Sequence, residues 1–160
     1  MDHSPLHYTD IVFNAKPDAV PYNYRISYKV TQLCLIMRIC GRGDVCSLIK
    51  LHMISFALIS QVNMISLIEF AEGTGSAPIV RFDPAVNRAL TYAIAYGLIE
   101  QQQNAKYKLT DRGRRLAEQI MVTDNLMDVE IDNLNLLAKK LTETKVKEIV
   151  SRWRVKDAEN

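Results

Sequence analysis

The chain has 160 residues, 48% of them hydrophobic and 24% charged, and 20 Lys and Arg against 18 Asp and Glu leave a net charge of +2. These values fit one globular domain with its own core and exclude a collagen-like repeat, a long disordered chain and a disulfide scaffold. A surplus of two cannot make the whole chain a polyanion binder, so any nucleic-acid contact has to be local.

Residues 1–24 carry Pro5, Pro17 and Pro21 with little periodicity and read as an extended arm. His3 and His7 in that arm are a weak metal signal, because Pro5 lies between them. The opening residues lack a basic start and an apolar run, so no secretory signal is read and a cytoplasmic location is expected.

From Ile26 the apolar positions Ile26, Val30, Leu33, Met37 and Cys40 step by four and three, which predicts one face of a helix ending at Gly41 and Gly43. Asp44 is placed to cap a second helix, with Leu48, Ile49, His52, Phe56 and Ile59. Leu51 to Ile68 holds no formal charge, yet His52, Ser55, Asn63 and Ser66 would fall in one stripe. That favours core helices broken near Ser60 over a membrane span, and no membrane partner is expected. A third helical piece runs from about Val62 to Ala71. The glycine-containing loop after it has no Gly-Lys-Ser or Gly-Lys-Thr step, so it gives no support to a Walker-type nucleotide site.

Ile79 to Phe82 form a short β-like run. Asp83 as cap and Pro84 at the first helical position then open a helix whose face is Val86, Ala89, Leu90, Ala93 and Ile94, closed by Gly97. Leu98 and Ile99 begin one strand, a polar turn covers 101–105, and Tyr107 and Leu109 alternate with Lys106 and Lys108 in another. Thr110 can cap a helix through Leu116, Ala117 and Ile120. Two amphipathic helices follow, with the faces Met127, Ile131, Leu134, Ala138, Leu141 and Val146, Ile149, Val150, Trp153.

The fold class is therefore mostly α with a small β-hairpin, an α+β arrangement. Tyr107, Leu109, Thr110 and Gly113 resemble the wording that ends the wing of many bacterial winged-helix proteins. The resemblance implies a winged-helix domain over 25–122, with a C-terminal helical extension over 123–160. One departure is that Ile79–Phe82 directly precedes the helix in the DNA-reading position, whereas the usual winged order has its first strand earlier.

Charge is uneven: residues 81–115 hold seven cations and three acids, a local surplus of four. Lys106, Lys108, Arg112, Arg114 and Arg115 on the wing and the next helix start, with Arg88, are the candidate phosphate contacts, against a plain solvated basic face. A base-reading helix needs several Arg, Lys, Asn or Gln. The helix from Asp83 offers only Asn87, Arg88 and Thr91 beside Tyr92 and Tyr96, which suit a protein interface better. Val146, Ile149, Val150 and Trp153 form a second candidate partner face, or else pack on their own domain.

No catalytic set stands out, and no cofactor or metal is expected. Cys34, Cys40 and Cys46 lack paired ligand spacing and read as buried thiols. Asp124, Asp128, Glu130 and Asp132 read as acids at a helix start rather than a metal-binding set.

Over about residues 11–155 the order of these features is similar to the middle components of three-component ABC ATPase antiphage defence systems of the Lamassu type. That resemblance implies a non-enzymatic adaptor whose partners are an SMC- or Rad50-like ATPase, an effector nuclease and duplex DNA. The rival reading is a stand-alone winged-helix transcription regulator that binds its operator as a dimer.

Overall fold

The computed structural model describes residues 25–159, with side chains as far as Trp153. The arm read over 1–24, with His3 and His7, lies outside the described residues. Seven α-helices and one three-stranded antiparallel sheet make up the described chain.

Helix α1, Ile26–Cys40, has neither glycine nor proline in its interior and ends where the Gly41 amide bonds Met37 O at 3.1 Å. Periodicity assigns it one apolar face, but Leu35 and Ile36 are buried as deeply as Leu33 and Met37, and Ile39 is buried too. A helix apolar on nearly all sides belongs in the middle of a domain. It packs against α2 (Leu48–Ala57), α4 (Pro84–Ala95), α5 (Asp111–Met121) and α6 (Asp128–Leu137).

The stretch expected to open the second helix instead supplies strand β1, Val45–Ser47. Asp44 does not cap: it lies at φ 62°, and the cap is Ser47, whose hydroxyl accepts from the Lys50 amide at 3.3 Å. The reason is pairing, since Val45, Cys46 and Ser47 lie opposite Lys108, Tyr107 and Lys106 of strand β3 (Lys106–Leu109). Ser60 caps α3, Gln61–Ala71, so the uncharged stretch is two short helices broken at the expected place. No described helix is long and apolar enough to cross a membrane.

Ile79–Phe82 is not a strand. It has no pairing partner, and Ile79 and Phe82 are exposed. Asp83 caps α4 as expected, its Oδ1 accepting from the Ala85 amide at 2.9 Å. Gly97, at φ 72°, turns the chain into strand β2, Ile99–Gln101. A tight turn over Gln103–Ala105 returns it along β3, with Ile99 opposite Leu109 and Glu100 opposite Lys108. The sheet order is β1-β3-β2, so β3 is its centre.

Thr110 caps α5, its hydroxyl accepting from the Gly113 amide at 3.1 Å and donating to Gly97 O. Helix α6 stops at Leu137, short of the expected face: Ala138 takes φ 46°, and buried Leu141 is reached through a turn. The last helix is α7, Glu143–Glu159. One core cluster holds Leu33, Ile36 and Met37 of α1 together with Leu134 of α6 and Val146 and Ile149 of α7.

Candidate functional site

The candidate surface is built on α4. Its inner side, Ala85, Val86, Ala89, Leu90 and Ala93, is buried against α1, and small alanines bring the two helices close. Outward it presents Arg88, Thr91, Tyr92 and Tyr96. Tyr92 and Tyr96, one turn apart, stack at 6.2 Å between ring centroids with planes 20° apart, and are 46% and 58% exposed. Two rings held against each other on one side and open to solvent on the other form a rigid amphipathic patch.

A polar set ties the start of this helix to the core. The Asp83 amide donates to His52 Nδ1 at 3.4 Å, which leaves Nε2 to carry the proton and donate to Asn87 Oδ1 at 3.3 Å. Burial lowers the His52 pKa, so the neutral ring is favoured, and both nitrogens are satisfied. Asn87 is thereby committed to the fold, which leaves Arg88 as the cation of the α4 outer face. Behind it, buried Lys29 donates to Ser55 Oγ at 3.0 Å and Gln32 Oε1 at 3.3 Å, with Asp83 Oδ2 at 3.8 Å.

The basic residues divide into two groups. Arg88, Arg112 and Arg115 are exposed, and Lys106 and Lys108 are half-buried on the outer face of the central strand rather than on a projecting edge. Arg114 belongs to the fold. Its Nε lies 3.1 Å from Asp44 Oδ2 and its guanidinium 3.2 Å from Asp111 Oδ1, while Arg38 holds the other Asp44 oxygen at 3.2 Å and Glu118 at 3.0 Å. Two carboxylates on one guanidinium cancel the positive field a phosphate would need, so Arg114 leaves the candidate set.

The second expected partner face is used internally. Val146 and Ile149 are core residues, and Val150 is half-buried. Trp153 is half-buried against the core with its ring edge-on to Phe82 at 6.3 Å, and Phe82 in turn meets the His52 ring at 4.8 Å. The C-terminal stripe therefore docks on its own domain.

Cys34, Cys40 and Cys46 are buried, and burial pushes each thiol up to about 12, so none is a thiolate at neutral pH. Among the described residues no group of three His, Cys, Asp or Glu is placed to hold a metal ion. Asp128 and Glu130 occupy the first turn of α6, and Glu130 accepts from the Tyr28 hydroxyl at 3.3 Å. A group that spacing did not reveal is Arg42, Lys50, Lys106 and Lys139, which line one cavity. Their sequence separations follow no period, and only the fold assembles them.

Comparison with family models, with curated proteins and with solved structures gave no match for this chain.

Proposed function

We propose that the chain is a non-catalytic winged-helix accessory subunit of an SMC- or Rad50-like ATPase complex in antiviral defence, linking DNA sensing by the ATPase to an effector nuclease. The observation that carries the adaptor role is the outer face of α4, where stacked Tyr92 and Tyr96 stand beside a single cation, Arg88. A helix built to read bases would carry several hydrogen-bonding side chains there. Exposed tyrosines instead suit burial against another protein, since a large ring with few torsions loses little entropy.

The chain order supports the winged-helix assignment. A winged helix places its first strand after its first helix and pairs it with the last wing strand. Here β1 follows α1 and pairs with β3, giving β1-β3-β2. The departure expected from Ile79–Phe82 disappears, because that run is not a strand. A different departure takes its place: α3 and the loop to Asp83 are inserted between the second helix and α4. The identity of the partners rests on the resemblance of the sequence to the defence-system middle components. Exposed Arg88, Arg112 and Arg115, with Lys106 and Lys108, suit weak contacts to duplex phosphates without sequence preference.

Co-expression with the ATPase and nuclease of its own operon tests the reading. The three proteins are expected to co-elute, and Tyr92→Ala with Tyr96→Ala to weaken that association about thirtyfold or more, at about 2 kcal/mol for a hot-spot ring, with the melting temperature little changed. DNA affinity of the free chain should be weak and fall steeply with salt. A lone dimer gripping one palindromic site at nanomolar affinity would replace this account with the transcription regulator.

A further inference from the structure

A cavity of about 490 Å³ opens where the carbonyl end of α1, strand β1, the wing and the amino end of α7 converge. Arg42, Lys50, Lys106 and Lys139 line it, with Glu143 as the one carboxylate, so the walls carry four positive charges against one negative. Glu143 is itself engaged, its Oε2 accepting from the Ser47 amide at 3.2 Å. Among the described residues, none of the ion pairs involves any of the four cations.

Lys50 is the unusual member, being only 3% exposed. A buried ammonium normally lies against a carboxylate, because taking the charge out of water costs several kcal/mol. Lys50 Nζ instead donates to Cys40 O at 2.9 Å, and Lys139 Nζ donates to Gly41 O at 3.2 Å. Those carbonyls end α1 and supply roughly half a negative charge. The amino end of α7, which opens on the same cavity through Thr142, Glu143 and Thr144, offsets that with a similar positive partial charge and with the amides of Glu143 and Thr144, that of Lys145 being taken by Thr142 Oγ1 at 3.3 Å. An ammonium has three donors, and each of these bonds uses one.

We propose that this cavity binds a terminal phosphate group, carried by a free nucleotide or by the end of a nucleic-acid strand. The charge balance selects phosphate over carboxylate: a surplus of three on the walls is matched better by the roughly −1.5 to −2 of a phosphate monoester than by −1. The volume admits the group with part of the molecule bearing it, which would lie beside half-buried Val45. The site goes beyond the wing–DNA reading and does not depend on it. It shares only Lys106 with the wing.

The test is calorimetric titration of the purified chain with pyrophosphate and ATP at low salt, beside acetate. Pyrophosphate should bind and raise the melting temperature. Arg42→Ala with Lys139→Ala, both exposed positions, should weaken that binding by about tenfold for each charge-assisted hydrogen bond removed. Arg112→Ala with Arg115→Ala should leave it unchanged while weakening duplex binding, which separates this site from the wing. A duplex with 5′-phosphorylated ends preferred over the same duplex with 5′-hydroxyl ends identifies the source as a strand end. Equal duplex affinities with retained ATP binding identify a free nucleotide. Absence of pyrophosphate binding at millimolar concentration, equal affinity in the double variant, or acetate bound as tightly as pyrophosphate would each overturn the proposal.

Discussion

The carbonyl of Leu98 passes so close above Gly113 that a Cβ on that glycine would lie 2.0 Å from the Leu98 oxygen and 2.9 Å from Leu109 Cδ2. The approach is fixed from both sides, by the Thr110 amide donating to Leu98 O at 3.0 Å and the Thr110 hydroxyl capping Gly113. Gly113→Ala must therefore part the start of α5 from the entry to the wing. A loss of about 3 kcal/mol in stability is expected from such overpacking, read from urea unfolding. Gly97→Ala, where the only near atom is Arg112 Nη1 at 4.0 Å, meets a strained φ of +72° but no clash. It should cost about 1 kcal/mol.

Arg114 and Arg115 are neighbours with opposite duties. Arg114→Glu would set a third carboxylate beside Asp44 and Asp111, and is expected to lower stability by about 2 kcal/mol because it leaves the buried Asp44 carboxylate facing a like charge. Arg115→Glu should leave the melting temperature within a degree or two and instead reduce the salt slope of duplex binding by about one. Equal thermal effects of the two substitutions would remove the distinction drawn between them.

Trp153→Ala is expected to act on the fold. The ring is half-buried and edge-on to Phe82, so its removal should cost about 2 kcal/mol. A double-mutant cycle with Phe82→Ala should return a coupling of about 1 kcal/mol. Co-elution with partners should survive at temperatures where the variant is folded. Loss of association with unchanged unfolding would return Trp153 to the partner face.

Stability should depend on pH through His52. Burial, the dominant influence, and nearby Lys29 hold its pKa below the usual 6.5, against the opposing Asn87 hydrogen bond and Asp83 charge. The unfolded chain takes up this proton near 6.5 and the folded chain only below it. Stability is thus complete above 6.5 and declines as pH falls from there, by at most about 1.4 kcal/mol per unit. His52→Gln should flatten that decline in urea midpoints measured between pH 7.5 and 5. An unaltered slope in the variant would mean that another group titrates.

Where local chemistry decides an element, the residues announced it. Asp83 with Pro84 and Thr110 three before Gly113 each carry a cap that reads the same in a sequence and in space, and the break expected near Ser60 falls where its hydroxyl accepts from the Asn63 amide. Where partners decide, they did not. Val45–Ser47 and Ile79–Phe82 look alike as short apolar runs, and only the first finds β3 beside it. The face of α4 was legible from Tyr92 and Tyr96, because exposed aromatics stand out against the alanines beneath them. That Arg114 is bound by Asp44, seventy positions away, and that Lys50 meets Lys139 at one cavity, are facts of tertiary distance without periodicity to betray them.

The buried set around Lys29 bears on how α1 finds its place. A rod apolar on nearly all sides could settle at several angles about its own axis with little change in burial. Lys29 and Gln32 remove that freedom, since Ser55 meets both of them in only one orientation. Lys29→Met should give a chain that stays compact but loses sharp amide dispersion in its NMR spectrum, a dowel whose keyway has been filed smooth.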